Sequence, residues 1–360
     1  MKKTIAFVVL FATSFICSVE ASASDAIRPY VESGESGHFR YAVYNNRWLL
    51  HGQKWLDEKH LTRVAITGVL PGAKGKIVLP SSIKGHEVYG IDERAFESCR
   101  EITDIVIPKT IRFLKPGTLN RCQGLQNIVV AEDHPEFASV DGVMFDKQKT
   151  KLLAFCSGRG GEYKVPDKTT AIGPNAFSLC INLKRVVIPE SVTDIGGHTG
   201  GVFLGCKNLE HVDIPDTVAN IGQKSFQDCS SLKEVTIPSK VTAIPFGLFW
   251  KCTRLTNVKL PDGITSIGNY AFADSTQLTL QRFPKSLKKI GAYAFKNCKA
   301  LKDLAIPKSV TETGRGAFRG SGMEPSGELA SRSRSTNCDG ESPLLIHTVA
   351  GCYVIDSCGW

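Results

Sequence analysis

"LKEVTIPSKVTAIPFGLFWKC", residues 232–252, is followed by "LTNVKLPDGITSIGNYAFADS", residues 255–275, and the two stretches share one pattern. Each contains a leucine, two alternating apolar residues before a proline, a second apolar pair, an aromatic residue and a small residue. A fixed period of this length is the signature of a solenoid, in which each coil is stable only beside its copies. The repeat therefore predicts a solenoid as the fold class.

The prolines and the small residues set the extent of the repeat. From Pro189 to Pro307, the prolines that follow the first apolar pair of each unit are separated by 26 residues and then four times by 23 residues. About nine units are predicted over residues 79–322, with a longer coil at 131–165. Each unit places a small residue three positions after its aromatic or leucine, and this cysteine column consists of Cys99, Cys122, Cys180, Cys206, Cys229, Cys252, Ser275 and Cys298.

The pattern inside one unit predicts two short strands and a closing turn. Val235 and Ile237 alternate with Glu234 and Thr236, which is the period of a strand with one buried face. Pro238 ends that strand because it has no N–H group for the ladder. A second apolar pair predicts another short strand, and the aromatic and small residues then close the coil on a tight turn or a single helical turn.

These residues resemble a known family. The pattern L-x-x-V-x-I-P-x-x-V-x-x-I-G-x-x-A-F-x-x-C is similar to the BspA-type, or Treponema pallidum-type, leucine-rich repeat of secreted and surface bacterial proteins. The stretch "HPEFASVDGVMFDKQKTKLLAFCSG" (134–158) is similar to the longer coil interspersed in such proteins. The resemblance implies a right-handed superhelix of coils of about 23 residues, with short parallel strands and short helical or 3-10 turns. It also implies an adhesin-like or protein-binding role, since family members with known roles are mostly of that kind.

The two ends of the chain depart from the repeat. Residues 1–23 have a basic start, a short apolar stretch and an Ala-x-Ala ending, which predicts a secretory signal peptide cut after Ala23. A membrane anchor and a lipoprotein signal are the rival interpretations. Residues 24–78 are predicted to form an amino-terminal cap region, and residues 323–360 a disordered tail or a degenerate cap. We expect a secreted or cell-surface protein with no membrane span after cleavage.

Charge suggests the kind of partner. The net charge is +9, and residues 24–322 alone carry about +11. Because export makes nucleic acid an unsuitable partner, we expect an extracellular protein or an anionic glycan at a cell surface. A solvated basic surface with no specific partner is the alternative. We expect a monomer.

No sequence motif indicates catalysis. The eight histidines do not form a zinc-binding pattern, "SGESG" (33–37) lacks the order of a nucleophile elbow, and "GRGG" (158–161) lacks the Lys-Ser/Thr of a phosphate loop. We therefore expect a non-enzymatic protein without metal or cofactor. The cysteine column is interpreted as a row of small residues with buried free thiols, and a disulfide or metal array is the alternative.

The outward strand positions are the candidate binding face. They comprise Asp104, Val106, Asn127, Val129, Arg185, Val187, His211, Asp213, Glu234, Thr236, Asn257, Lys259, Leu280 and Arg282, followed by Asp303 and Ala305. Near the end, Leu280 stands at an outward position, Gln281 at a core position, and Thr313 replaces an apolar residue of the second pair. Two functions remain: a binding module that uses this face, and a structural or spacer solenoid without a specific ligand.

Overall fold

The fold is a solenoid of short strands. A computed structural model describes residues 30–45, 62–97, 99–302, 304–323, 345–348 and 351–354. The predicted signal peptide and Asp303 lie outside these residues.

The strands fall into four groups along the chain. The first nine are β1 (Tyr30–Ser36), β2 (Phe39–Asn45), β3 (Thr62–Val69), β4 (Gly75–Val78), β5 (Ser82–Ile83), β6 (His86–Ile91), β7 (Ile102–Ile107), β8 (Phe113–Leu114) and β9 (Asn127–Val130). The longer coil contains β10 (Phe137–Val140), β11 (Val143–Asp146), β12 (Lys151–Ala154) and β13 (Gly161–Lys164). The following coils contain β14 (Ala171–Ile172), β15 (Leu183–Val187), β16 (Asp194–Ile195), β17 (His211–Asp213), β18 (Asn220–Ile221), β19 (Glu234–Thr236), β20 (Ala243–Ile244), β21 (Asn257–Lys259), β22 (Ser266–Ile267), β23 (Lys289–Ile290) and β24 (Glu312–Thr313). The last two are β25 (Leu345–Thr348) and β26 (Gly351–Val354).

Parallel strands stack in two columns, as the repeat predicts. The first column contains the sheets β4–β7–β9, β13–β15–β17 and β19–β21, and the second contains β12–β14–β16–β18 and β20–β22–β23–β24. In the first column Val235 pairs with Val258, and in the second Ile244 pairs with Ile267, both 23 residues apart. The backbone groups of each coil are thus satisfied by its neighbours.

The amino-terminal region caps the second column with an antiparallel sheet. Strands β1, β2 and β3 pair in antiparallel order, and β3 then pairs in parallel with β6. Strand β8 of the next coil pairs in parallel with β6, so the cap continues directly into the repeat. This arrangement covers the end of the core that a solenoid would otherwise expose.

The closing turns form a third ladder and contain no helix in the described residues, so of the two predicted forms the tight turn is found and the helical turn is not. The N–H of Phe249 donates to the carbonyl of Ala271 in the next coil at 2.7 Å, and that of Phe272 to Ala294 at 2.8 Å. Tyr270 has a φ of 55° there, a left-handed conformation that breaks a helix. The turn therefore directs its donors to the neighbouring coil.

Phenylalanine side chains stack through the core. Seven rings lie one per coil, and consecutive centroids are 5.1–5.4 Å apart. The stacked rings are those of Phe177, Phe203, Phe226, Phe249, Phe272, Phe295 and Phe318. Each coil buries its aromatic side chain against those of its neighbours, which is why a single coil would not be stable.

The longer coil divides the core into two clusters. One cluster runs from Phe39 to Cys156 and the other from Val143 to Ala317, so both draw residues from this coil. Its strands β10 and β11 form a hairpin whose two turn residues, Asp141 and Gly142, both have positive φ. That is the geometry of a tight hairpin turn, which an Asp-Gly pair favours.

The "GRGG" stretch (158–161) closes the longer coil. A Cβ atom at Gly158 would lie 2.6 Å from the carbonyl carbon of Gly124, and one at Gly160 would lie 2.8 Å from the oxygen of Asn182. Only glycine fits such a close backbone approach. The glycines are thus explained by packing.

The prediction for residues 280 and 281 is wrong. Leu280 is 7% exposed, and Gln281 is exposed. At this point the first column is reduced to an isolated bridge between Asn257 and Thr279. A buried glutamine amide without a partner is costly, so the chain turns the leucine inward and gives up a regular strand.

The carboxy-terminal tail contains one hairpin in its described part. Strands β25 and β26 pair with each other in antiparallel order, with Leu345 opposite Val354. Residues 324–344, where disorder was expected, lie outside the described residues. The choice between a tail and a cap therefore stays a prediction.

Candidate functional site

The first strand column presents the candidate binding face, here called the strand face. In β19, Glu234 and Thr236 are exposed, while Val235 and Ile237 are buried at 3% and 2% exposure. This confirms the predicted register, because a shift of one residue would exchange the two faces.

The strand face is interrupted rather than continuous. Asp104, Val106, Asn127 and Val129 lie on the sheet β4–β7–β9, while Arg185 and the residues after it lie on later sheets. The hairpin of the longer coil stands between these groups. The structure therefore divides the predicted grid at the longer coil.

Several polar groups of the face bind one another. The hydroxyl of Thr103 and the amide of Asn127 donate to the Asp104 carboxylate at 2.6 and 2.9 Å, and both bonds hold the pKa of that carboxyl below its usual range. Arg185 forms an ion pair with Asp213 at 2.7 Å, which raises the pKa of the guanidinium. Such exposed pairs add little stability.

The remaining predicted positions differ in exposure. Lys259 is exposed, and His211, Asn257 and Val187 are half-buried. Arg282 is exposed and pairs with Asp262. Leu280 belongs to the core instead, so it cannot contribute to an exposed face.

Three valines form an apolar row on the sheet β4–β7–β9, in which Val78 and Val129 are exposed and Val106 is half-buried. Val78 pairs with Val106, which pairs with Val129. Val78 is 61% exposed and Val129 is 41% exposed, and these are the exposed large apolar residues of the described part of the chain. The sequence analysis missed Val78, although "KIVLP" (76–80) carries the same register two residues before its proline.

The cysteine column is built on one repeated hydrogen bond. From Cys206 onward, the side chain of each column residue donates to the carbonyl oxygen of the phenylalanine in the preceding coil. The donor-to-acceptor distances are 2.9 Å for Cys206, 3.1 Å for Cys229, 3.0 Å for Cys252, 2.7 Å for Ser275 and 3.0 Å for Cys298.

The column thus requires a small side chain that is also a donor. Ser275 fits because its hydroxyl makes the same bond as the thiols. Burial raises the pKa of the Cys298 thiol to about 12 and that of Cys252 even further, so these thiols stay protonated. A buried thiol in this state is chemically inert.

The described residues contain no cluster suited to a metal ion. Among them, no three His, Cys, Asp or Glu side chains come together as a metal site requires. Within the same ranges, no helix has the length and apolar character needed to cross a bilayer.

The chain matches the family model for the BspA type leucine rich repeat region. Six copies are matched, over residues 76–158, 153–279 and 199–324. Together these ranges run from residue 76 to residue 324, which is more than half of the chain. No curated protein matches the chain.

Three solved structures are similar to this chain. A leucine-rich repeat protein from Eubacterium ventriosum is 30% identical with a TM-score of 0.62, over 70% of this chain and 66% of that one, just under two thirds of its length. A leucine rich cell surface protein from Faecalibacterium prausnitzii is 16% identical with a TM-score of 0.41, over 69% and 94%. A leucine rich repeat protein of T. pallidum is 26% identical with a TM-score of 0.34, over 60% and 83%.

Proposed function

The chain belongs to the BspA-type leucine-rich repeat family, and from that premise we propose that it is a secreted or cell-surface, non-catalytic binding protein. The partner is an extracellular protein bound through the strand face, and the bound form is a monomer of this chain. An anionic glycan is the second class of partner, for which the basic surface is the relevant feature.

The exposed valine row is the observation that supports this function. Val78, Val106 and Val129 lie side by side on three paired strands, where water contacts their apolar surface. Burial of apolar surface contributes roughly 25 cal/mol per Å², so a partner that covers the row gains affinity. Protein interfaces have an apolar centre with a polar rim, and Asp104 and Asn127 provide polar groups beside the row.

Substitution of the row tests the proposal. Wild-type protein is assayed against immobilised extracellular-matrix proteins and anionic glycans. Val129→Lys places a charge at one end of the valine row, and we expect at least a tenfold loss of affinity for the bound matrix protein, which is about 1.4 kcal/mol. Thr236→Lys is the matched control, because Thr236 is exposed on the same face of a distant coil. Equal thermal unfolding of both variants shows that the fold is kept.

A spacer solenoid is the alternative function. It is favoured by the polar groups of the strand face, since Asp104 with Asn127 and Arg185 with Asp213 already bind each other. Failure of the wild-type protein to bind any member of the panel supports the spacer. An equal loss of affinity in Val129→Lys and Thr236→Lys would show that the valine row is not the binding surface.

Export is tested separately at the amino terminus. The proposal predicts that protein recovered from the culture medium begins at Ser24, the residue after the predicted cleavage site. Mass spectrometry of the mature protein measures this. Recovery of the chain from cells with Met1 in place contradicts secretion.

A further inference from the structure

Cys99 and Cys122 depart from the hydrogen bonding of the cysteine column. From Cys206 onward each thiol donates to a phenylalanine carbonyl, whereas Cys99 and Cys122 make no such bond in the described part of the chain. Cys99 itself lies 4.0 Å from the carbonyl of Glu97, at the outer limit of a sulfur hydrogen bond. The first two coils therefore hold two thiols in one core cluster that no phenylalanine carbonyl engages.

The solenoid register brings these two residues together. They are 23 residues apart, and the same offset separates the paired residues Asp104 and Asn127 of the strands that follow them. Neighbouring coils are spaced by roughly 4.8 Å, which falls within the Cα separation of about 4.4–6.8 Å found in disulfides. Cys99 packs on the same core cluster that contains Cys122.

Cys99 is also the accessible member of the column. It is half-buried, while Cys122 and the other column cysteines are buried. Hydrogen bonding between the two side chains lowers the pKa of the Cys99 thiol and raises that of Cys122. A lowered pKa increases the fraction of Cys99 in the thiolate form, which is the nucleophile in thiol–disulfide exchange.

We propose that Cys99 and Cys122 form a redox-active pair, which reacts with a low-molecular-weight disulfide and closes into a disulfide bond between the first two coils. This pair lies in the closing turns and not on the strand face. It is therefore independent of the proposed binding function.

The reaction proceeds by two exchange steps, here with oxidised glutathione. The Cys99 thiolate attacks one sulfur of glutathione disulfide, the S–S bond breaks, and one glutathione thiolate leaves. Cys122 then loses its proton and attacks the Cys99 sulfur of the mixed disulfide, and the second glutathione thiolate leaves. The two protein thiols are oxidised, one glutathione disulfide is reduced to two thiols, and the two protons released from the protein end on them.

Peptide mapping tests the pair directly. The full chain is incubated with oxidised glutathione under native conditions, free thiols are blocked with N-ethylmaleimide, and the protein is digested with trypsin without reduction. We expect peptide 95–100 to be joined to peptide 122–147, each of which contains one cysteine. A link between Cys122 and Cys156, or glutathione left on Cys99 without any link, overturns the proposal.

Two variants sharpen the test. Cys122→Ser removes the resolving thiol, so we expect a stable glutathione adduct on Cys99. Cys229→Ser is the matched control, because Ser275 shows that serine makes the hydrogen bond of the column. The control is expected to form the link between Cys99 and Cys122 at the wild-type rate, and a tenfold slower rate in the control contradicts a local pair.

Discussion

At the residue scale, the cysteine column shows how a repeat selects a side chain. The thiol of Cys229 is fully buried and donates to the carbonyl oxygen of Phe203 at 3.1 Å. Sequence comparison between units indicated a small residue, because Ser275 occupies a position that is cysteine in the other units of the column. The hydrogen bond could not be inferred, since the acceptor belongs to the preceding coil.

Substitutions at Cys229 separate size from hydrogen bonding. Cys229→Ser keeps the small size and the hydrogen-bond donor, so we expect the free energy of unfolding to change by less than about 1 kcal/mol. Cys229→Val removes the donor and adds a branched side chain to a filled core, and we expect a loss of about 1–3 kcal/mol. Urea unfolding measures both. Equal stability of the two variants would mean that the donor and the packing space are unimportant.

His134 is a buried group that the sequence analysis did not single out. Its Nδ1 accepts hydrogen bonds from the N–H groups of Glu136 and Phe137 at 3.1 and 3.0 Å, and its Nε2 lies 2.8 Å from the carbonyl of Ile111. The ring is therefore neutral, with its proton on Nε2. Burial holds its pKa below the ordinary value of about 6.5.

The state of His134 predicts a loss of stability in acid. A group whose folded pKa is lowered contributes stability above the unfolded pKa, and this stability is lost as pH falls through the folded pKa. We expect the melting temperature to fall between pH 7.5 and pH 5 by more in the wild type than in His134→Gln, whose amide keeps a donor and an acceptor at any pH. Identical pH dependence in thermal unfolding would exclude His134 as the cause.

At the element scale, the repeat predicts the strands well where each unit is regular. The two columns follow from the alternation of Val235 and Ile237 and from the second pair that ends in Ile244. The closing turns could not be predicted in detail. Left-handed residues such as Tyr270 and Asp274 are not glycines, so nothing in the sequence separates this turn from a helical one.

The site was only partly predictable for a related reason. Val129 and Val106 lie on the strand face as expected, because a strand of alternating pattern fixes its two sides. The break at the longer coil and the partners of Asp104 depend on contacts between coils, which one unit does not encode. Leu280 was misplaced because burial of an apolar side chain prevailed over the register of the repeat.

Substitutions at residues 280 and 281 test that exchange. Leu280→Ala removes a core side chain, and we expect a loss of about 2 kcal/mol or more in the free energy of unfolding. Gln281→Ala changes an exposed side chain, and we expect a change within about 0.5 kcal/mol. The register of the repeat, which places Gln281 in the core and Leu280 outside, predicts the opposite: Gln281→Ala would then cost more stability than Leu280→Ala. Denaturant unfolding that shows Gln281→Ala to be the more harmful change would favour that register.

At the scale of the whole molecule, positive charge is concentrated in the last coils. Residues 240–322 contain fourteen Lys and Arg against four Asp and Glu, a net charge of +10, whereas residues 24–239 carry about +1. Some of these charges are paired, as in the ion pair between Lys289 and Glu312 at 2.9 Å. Others, such as Lys288 and Lys308, are exposed on successive coils.

This asymmetry predicts that a polyanion binds at the carboxy-terminal coils. Exposed charges act over a Debye length of about 8 Å at physiological ionic strength, so a linear polyanion responds to the local density of lysines more than to the net charge of the chain. Reversal of three exposed lysines there should weaken binding to immobilised heparin, and the protein should elute at a clearly lower salt concentration. The substitutions are Lys288→Glu, Lys299→Glu and Lys308→Glu.

The matched control changes the same net charge in the other half of the solenoid. It carries three reversals at exposed positions, Lys168→Glu, Lys184→Glu and Lys207→Glu. We expect the control to elute near the wild type, because its lysines lie in coils where charges of both signs are balanced. Equal shifts for the two triple variants would show that net charge alone governs binding. The polyanion would then have no preferred place on the molecule, and the basic coils would be a solvated surface.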